Sequence, residues 1–426
     1  MEEKEILPFK MNTPIDNTTN IIKVIGVGGG GGNAVNHMFN EGIENITFAL
    51  CNTDNQALIK SDIDTKLQLG PSITHGLGAG NNPSRAEEAA NESKNEIQEL
   101  LEDGTKMVFI TAGMGGGTGT GAAPVVAKIA KSMGILTIGI VTLPFVFEGV
   151  NKILQAIEGV EKLKKNVDAM LIINNELLRH IYSDWKLDNA FKKADSTLSV
   201  AARSIVEIIT REGVINLDFA DVDTTLRDGG VAIISSGYGS GEGRIKEAID
   251  DALQSPLLDN SKIVNTDRIL INLTFSAASN VTVEEMTAVH DFMRTINTST
   301  RSFIWGYGID ETLGERIKIT ILAAGFDSKQ FTDKARNSIA QGRQGLNADE
   351  NSRSKIGEYY SQDTPVVKKK NHIYLFDIDE IGDESLITKI DETPTYKRTK
   401  EMVESLHKEK ENRLSEEEEI EENNNI

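Results

Sequence analysis

The sequence predicts an α/β fold built on a mostly parallel sheet, and three observations carry that prediction. From Ile21 to about Leu187, apolar strand-like runs alternate with helical periodicities. Alternation of this kind is the pattern of strands joined by crossover helices that cover both faces of one sheet. Two of the strand runs break directly into glycine clusters that open a helix, and a long helical periodicity, Asp188–Glu212, separates this half from a second, smaller α/β unit.

Taken in order, residues 1–20 are polar and acidic, with no apolar stretch of the kind a signal peptide needs, and are expected to be disordered. Residues 21–187 form the first domain. Its strands are read at Ile21–Val27, Ile46–Cys51, Met107–Thr111, Leu136–Thr142 and Ala169–Ile173, with helices opening at Ala34 and at Ala122. The central helix, 188–213, lines up Phe191, Ala194, Leu198, Ala201, Ala202, Ile205, Ile208 and Ile209 on one side and is expected to end at Gly213 as its C-cap. Residues 214–326 form the second domain, with strands at Val231–Ser235, Ile269–Phe275, Ser302–Tyr307 and Lys318–Ala324 and helices at Gly243–Ala252 and Val283–Met293. Residues 327–370 are polar with few core residues and read as a disordered linker, and 371–426 as a tail ending in a solvated acidic run.

Composition narrows the function. A formal charge of −20 argues against broad nucleic-acid binding, which needs basic surface. One cysteine, Cys51, rules out a disulfide framework, fits a reducing cytosol, and reads as a buried apolar filler. The six histidines show no metal-ligand spacing, and no apolar run approaches the length of a membrane span, so no protein-held metal and no membrane insertion are expected.

The glycine clusters carry the binding chemistry. Gly113–Gly121 follows a strand and leads into a helix. Glycine lets backbone N–H groups approach an anion, and the helix N-terminus adds roughly half a positive charge. The earlier cluster, Gly28–Gly32 with Asn33, fits the dinucleotide spacing through Gly26, Gly28 and Gly31, with Asp54 at the distance of a ribose-binding acid. That match alone favours a nicotinamide enzyme, although so long a glycine run fits the pattern in several registers. Neither cluster is followed by Gly-Lys-Ser/Thr, so any phosphates are held by backbone amides and hydroxyls rather than by a P-loop lysine. Two such loops on one sheet suggest a ligand with several phosphates.

A second chemistry sits far along the chain. Asn216, Asp218 and Asp221 place an amide and two acids at the start of a helix. Either acid could cap that helix; together they could orient a water or hold a cation for phosphoryl transfer. The long central helix separates them from the glycine loops, at about 1.5 Å per residue. Within one chain the acids would not reach the phosphates, and stacking of one subunit on the next resolves this. Head-to-tail contacts that do not close into a ring generate filaments.

Gly28–Asn33, Gly113–Gly121, Phe147-Glu148-Gly149 and Asn216–Asp221 together resemble the tubulin/FtsZ family of GTPases, in its bacterial cell-division branch, from about Ile21 to Phe326. The resemblance implies a Rossmann-like GTP-binding domain, GTP and GDP as ligands with Mg2+ accompanying the nucleotide, and a cytoplasmic protein of the midcell division ring. It implies that Gly29, Gly30, Gly31 and Gly32 and Gly117, Thr118 and Gly119 hold the phosphates, that Glu148 meets the ribose, and that Asn33 and Asp195 contact guanine near a stacking Phe191. A carboxylate at Asp195 can accept from both the ring N–H and the exocyclic amine of guanine, a pair adenine lacks. Asp218 and Asp221, with Asn216, match catalytic residues supplied in trans, and Asp54 matches a position near the terminal phosphate and its cation. Gly78–Asn81 resembles a further loop close to that phosphate. Lys152 stands where the family usually has an arginine, which keeps the charge and loses the bidentate fork. The implied partners are further copies of the chain, and division proteins and membrane adaptors bound by a peptide near 392–398.

Overall fold

The computed structural model describes residues 20–176, 187–211, 213–253, 266–296 and 302–325, all within one compact unit. Residues 1–19, the linker 327–370, the tail 371–426 and its peptide near 392–398 lie outside the described residues.

The first half is a parallel sheet in the order β3 (Lys66–Gln68), β2 (Thr47–Asn52), β1 (Ile22–Val27), β4 (Met107–Gly113), β5 (Leu136–Leu143), β6 (Ala169–Asn174). Every residue of β1 is buried, as expected of a strand covered on both faces. The chain moves outward from β1 in one direction through β2 and β3, then returns to β4 and runs the other way. The reversal between β1 and β4 is a topological switch point, the place where open α/β sheets leave a crevice for ligands. Both glycine clusters fall there.

Helices α1 (Gly28–Asn40), α2 (Asn55–Ile59), α3 (Pro71–Thr74), α4 (Pro83–Glu92), α5 (Lys94–Leu101), α6 (Thr118–Ser132) and α7 (Val150–Lys164) connect these strands. Two of them start earlier than the apolar periodicity suggests: α1 begins at Gly28 rather than Ala34, and α6 at Thr118 rather than Ala122. Each glycine in a helix costs roughly 1 kcal/mol relative to alanine, and tertiary packing overrides that cost. A Cβ on Gly31 would lie 2.2 Å from the Thr111 carbonyl oxygen, and one on Gly26 would lie 2.6 Å from that of Gly31. The first turn of α1 is pressed onto the ends of β1 and β4 at a distance only glycine permits.

The long helix α8 (Leu187–Thr210) follows, and Leu198, Ala202 and Ile205 on its buried side join Leu50, Ile138, Leu171, Ile234 and Leu270 in one core. It ends two residues before the expected limit, and Gly213 is not its C-cap. Gly213 opens β7 (Gly213–Ile215), pairs with Gly308, and would place a Cβ 2.6 Å from the Tyr307 carbonyl oxygen. Strand pairing claims the glycine, while Arg211 at the helix end is held by Glu207 and Asp310.

After α9 (Phe219–Leu226), β8 (Gly230–Gly239) joins the sheet beside β6 through a short parallel pairing, Ala169 with Gly230 and Met170 with Val231. Beyond it the order continues through β11 (Ile317–Ala324), β9 (Arg268–Phe275), β10 (Ser302–Ile309) and β7. Here the sheet is mixed, since β11 runs antiparallel to both β8 and β9. Helices α10 (Arg244–Leu253) and α11 (Met286–Ile296) cover this half around a second core that includes Ile249, Ile271, Leu273, Met293 and Ile319.

Candidate active site

Because β1 and β4 are paired with Val27 opposite Ala112, the two glycine clusters leave the sheet side by side. They touch where Gly28 meets Gly119 and Gly30 meets Gly113, and the second cluster folds onto itself between Gly119 and Gly113. A Cβ on Gly28 would lie 2.8 Å from the Gly119 nitrogen, one on Gly30 3.1 Å from the Gly113 Cα, and one on Gly119 2.5 Å from the Gly113 carbonyl oxygen. Gly117 packs against Ala79 and Asn82, so the Gly78–Asn81 loop forms one wall. Gly29 and Gly116 are different: a Cβ on either would meet nothing within 4 Å. Protein packing does not explain glycine at these two positions, and they mark the open side of the cradle.

The helix starts agree with this reading. Asp54 caps α2, Asn82 caps α4 and Asp218 caps α9 with their side chains, whereas α1 and α6, like α3, α5 and α7, begin with no side-chain cap. The first N–H groups of both helices therefore remain available to an anion, and the two macrodipoles add there. The hydroxyls of Thr53 and Thr118 meet at 2.7 Å at the edge of the cradle.

Sequence reasoning missed the residues that fix the second loop. The Thr120 Oγ1 accepts from the Gly115 N–H at 2.9 Å, and Gln155 Nε2 donates to the carbonyls of Gly115 and Gly116 at 3.2 and 2.9 Å. Gln155 lies on α7, three residues after Lys152, and no spacing rule points to it. The same helix start brings Lys152 beside the loop. A Cβ on Gly115 would lie 2.9 Å from the Lys152 carbonyl oxygen, and the Lys152 ammonium pairs with Glu148 at 3.2 Å. Glu148 also accepts from the Phe145 N–H at 2.9 Å.

Phe191 enters from α8, its ring meeting Phe145 edge-on with centroids 5.2 Å apart. Asp195 follows one turn later on the same helical face, and burial pushes its carboxyl up to about 6. On α1, Asn33 and Gly29 are both exposed and four residues apart, which puts them on a common face. Cys51 is fully buried and burial pushes its thiol up to about 12, so it serves as packing.

Asn216, Asp218 and Asp221 lie elsewhere. β6 and β8 are parallel, so the chain leaves the carboxyl end of β6 and must return to the amino end before β8 begins. Helix α8 spans that return with 24 residues, about 36 Å. The three residues follow its far end, between β7 and α9, whereas Phe191 near its start meets Phe145 on the cradle side. Asp218 Oδ1 accepts from the N–H groups of Ala220 and Asp221 at 2.8 and 3.1 Å, and Asp221 Oδ2 accepts from the Asp218 N–H at 3.0 Å. This reciprocal capping box leaves one oxygen of each carboxylate outside the cap. The Asn216 side-chain oxygen accepts from the Gly213 N–H. Val214 and Ile215, which lead into this loop, are exposed.

Two uncapped helix N-termini meeting at a switch point, over glycines with open space before them, define a nucleotide-phosphate site. Residues 21–183 match the Tubulin/FtsZ family GTPase domain, so the enzymatic class is that of the tubulin-like GTPases. Residues 230–327 match the FtsZ family C-terminal domain, and residues 368–413 match a further FtsZ C-terminal family. The chain is 50% identical over 393 residues to the cell division protein FtsZ of Porphyromonas gingivalis, covering 89% of this chain and 85% of that one. It is 44% identical to the FtsZ of Coxiella burnetii over 72% of this chain and 79% of that one. Among solved structures, an empty FtsZ dimer from M. jannaschii superposes with a TM-score of 0.63 at 43% identity, covering 71% of this chain and 88% of that one. The chain belongs to the FtsZ family and is a GTP-hydrolysing cell-division protein. The nicotinamide alternative falls with that result, and the Asp54 carboxylate, its proposed ribose contact, is occupied in capping α2 through Gln56 and Ala57 at 2.9 and 3.3 Å.

Proposed function

We propose that this GTPase works only as a polymer, each active site being completed by the Asn216–Asp221 loop of the next subunit in a head-to-tail filament. The observation that supports this reading is the 24-residue helix α8, about 36 Å long, that runs between the cradle side and the acid loop. In a stack, the acid end of one subunit faces the cradle end of its neighbour. The exposed Val214 and Ile215 beside the acids supply apolar area for that contact.

Backbone N–H groups of Gly29, Gly30, Gly31 and Gly32 and of Gly117, Thr118 and Gly119 bind the phosphates. Lys152 adds charge, Glu148 binds the ribose, and Asn33 and Asp195 read guanine beside Phe191. Asp218 and Asp221 of the neighbour use their uncapped oxygens to orient a water for in-line attack on the terminal phosphate, with Asn216 shaping the loop. Among the described residues, no group of three or more His, Cys, Asp or Glu side chains forms a metal site. Mg2+ needs none here, since it is usually carried by the nucleotide phosphates with one or two protein oxygens. The Thr118 and Thr53 hydroxyls fit that role, and the ion would screen phosphate charge. The filament serves as the scaffold of a midcell division ring in the cytoplasm, and its tail, near 392–398, binds division proteins and membrane adaptors.

Replacing Asp218 with asparagine tests the assignment cleanly. Asparagine caps a helix as well as aspartate does, whereas alanine loses about 1 kcal/mol. Asp218→Asn is therefore expected to melt with the parent protein and bind GTP normally while losing at least 100-fold in turnover, on the order of one essential transition-state contact. Loss of GTP binding, measured by nucleotide titration, would contradict the assignment.

A further inference from the structure

Helix α9, which carries both acids at its start, is moored at its other end by two arginines that reach opposite halves of the sheet. Arg227 follows its last turn. The guanidinium bonds Asp223 on the same helix at 2.5 and 3.0 Å, and Asp168 at the amino end of β6 at 3.4 Å. Asp168 is 1% exposed, accepts from the Thr137 N–H of β5 at 2.9 Å, and pairs with Lys131 of α6 at 3.1 Å. From the other side, Arg268 at the start of β9 donates to the carbonyls of Thr224 and Arg227 at 3.0 and 2.6 Å. These are the carbonyls a helix C-terminus leaves unpaired.

We propose that this mooring sets the angle at which α9 presents Asp218 and Asp221, making Arg227 a positioning residue for hydrolysis on the neighbouring subunit. The proposal rests on the shared-site reading above. Its physical basis is leverage. The helix has 8 residues, about 12 Å, so a tilt of about 5° about its C-terminal end moves the acids about 1 Å. Misplacement of that size can cost up to about 100-fold in rate. Arg227 lies far from the nucleotide cradle, so its loss should leave GTP binding untouched.

Mixing of variants separates positioning from plain stability. Arg227→Met is expected to bind GTP with less than about a twofold change and to hydrolyse it on the order of 10-fold more slowly. Mixed equally with Gly29→Asp, which blocks the cradle and keeps its acids, it should regain activity; mixed with Asp218→Asn it should not. The double variant Asp168→Asn/Arg227→Met removes the buried pair together and should behave the same way if Arg227→Met alone folds poorly. Recovery of Arg227→Met with Asp218→Asn, or full turnover by folded Arg227→Met and the double variant, overturns the proposal. If Asp218→Asn mixed with Gly29→Asp regains nothing, the shared site itself is wrong, which is a different failure.

Discussion

Asp195 shows how one residue's environment can make recognition depend on pH. Burial raises its carboxyl to about 6, against an ordinary aspartate near 3.8. A folded value above the unfolded one means the stability this group contributes is complete below about pH 3.8 and is lost as the pH rises through about 6. The guanine contact proposed for Asp195 runs the other way, because only the ionised carboxylate accepts from both the ring N–H and the exocyclic amine. GTP affinity is expected to strengthen from pH 5 to 7 and then level off, while the nucleotide-free protein loses Asp195's stabilising contribution over the same rise. Asp195→Asn should flatten the affinity profile. Titration of a fluorescent GTP analogue across this range checks it, and a wild-type profile flat from pH 5 to 7 would remove Asp195 from the base contact.

At the level of elements, the glycines of α1 divide into two kinds that the sequence cannot tell apart. Gly31 abuts Thr111 so closely that alanine there must push α1 off β4, at a cost of about 1–3 kcal/mol. Gly29 has open space before it, so alanine fits the fold and gains up to about 1 kcal/mol from helix propensity and reduced unfolded-state freedom. Gly31→Ala is expected to lower the melting temperature, whereas Gly29→Ala holds or raises it and weakens GTP binding. Thermal melts without nucleotide, paired with GTP titration, separate the two. Unimpaired binding by Gly29→Ala would show that the phosphates lie elsewhere.

The strand runs, the long helix and the two glycine clusters between strand and helix were legible because apolar periodicity and glycine clustering are local signals. The short strand Lys66–Gln68 and the edge strand Gly213–Ile215 were not, since neither has enough residues to show a period. The loop supports Gln155 and Thr120 and the mooring at Arg227 were equally hidden. The partners of Gln155 and Arg227 lie far along the chain, and Thr120 meets Gly115 only through the loop's own fold.

For the molecule as a whole, the shared-site proposal sets the nucleotide cradle and the hydrolytic acids on either side of α8, with that 24-residue helix as the spacer. On that proposal a monomer binds GTP and lacks the groups that consume it. Assembly would then couple the two half-sites, making hydrolysis a property of the interface between copies. The measurement that tests this most directly is phosphate release per subunit against total protein concentration, at saturating GTP. The shared site predicts almost no turnover below an assembly threshold, then a rise to a plateau that coincides with polymer sedimenting in GTP. A rate per subunit that stays constant from the most dilute monomer upward would contradict it.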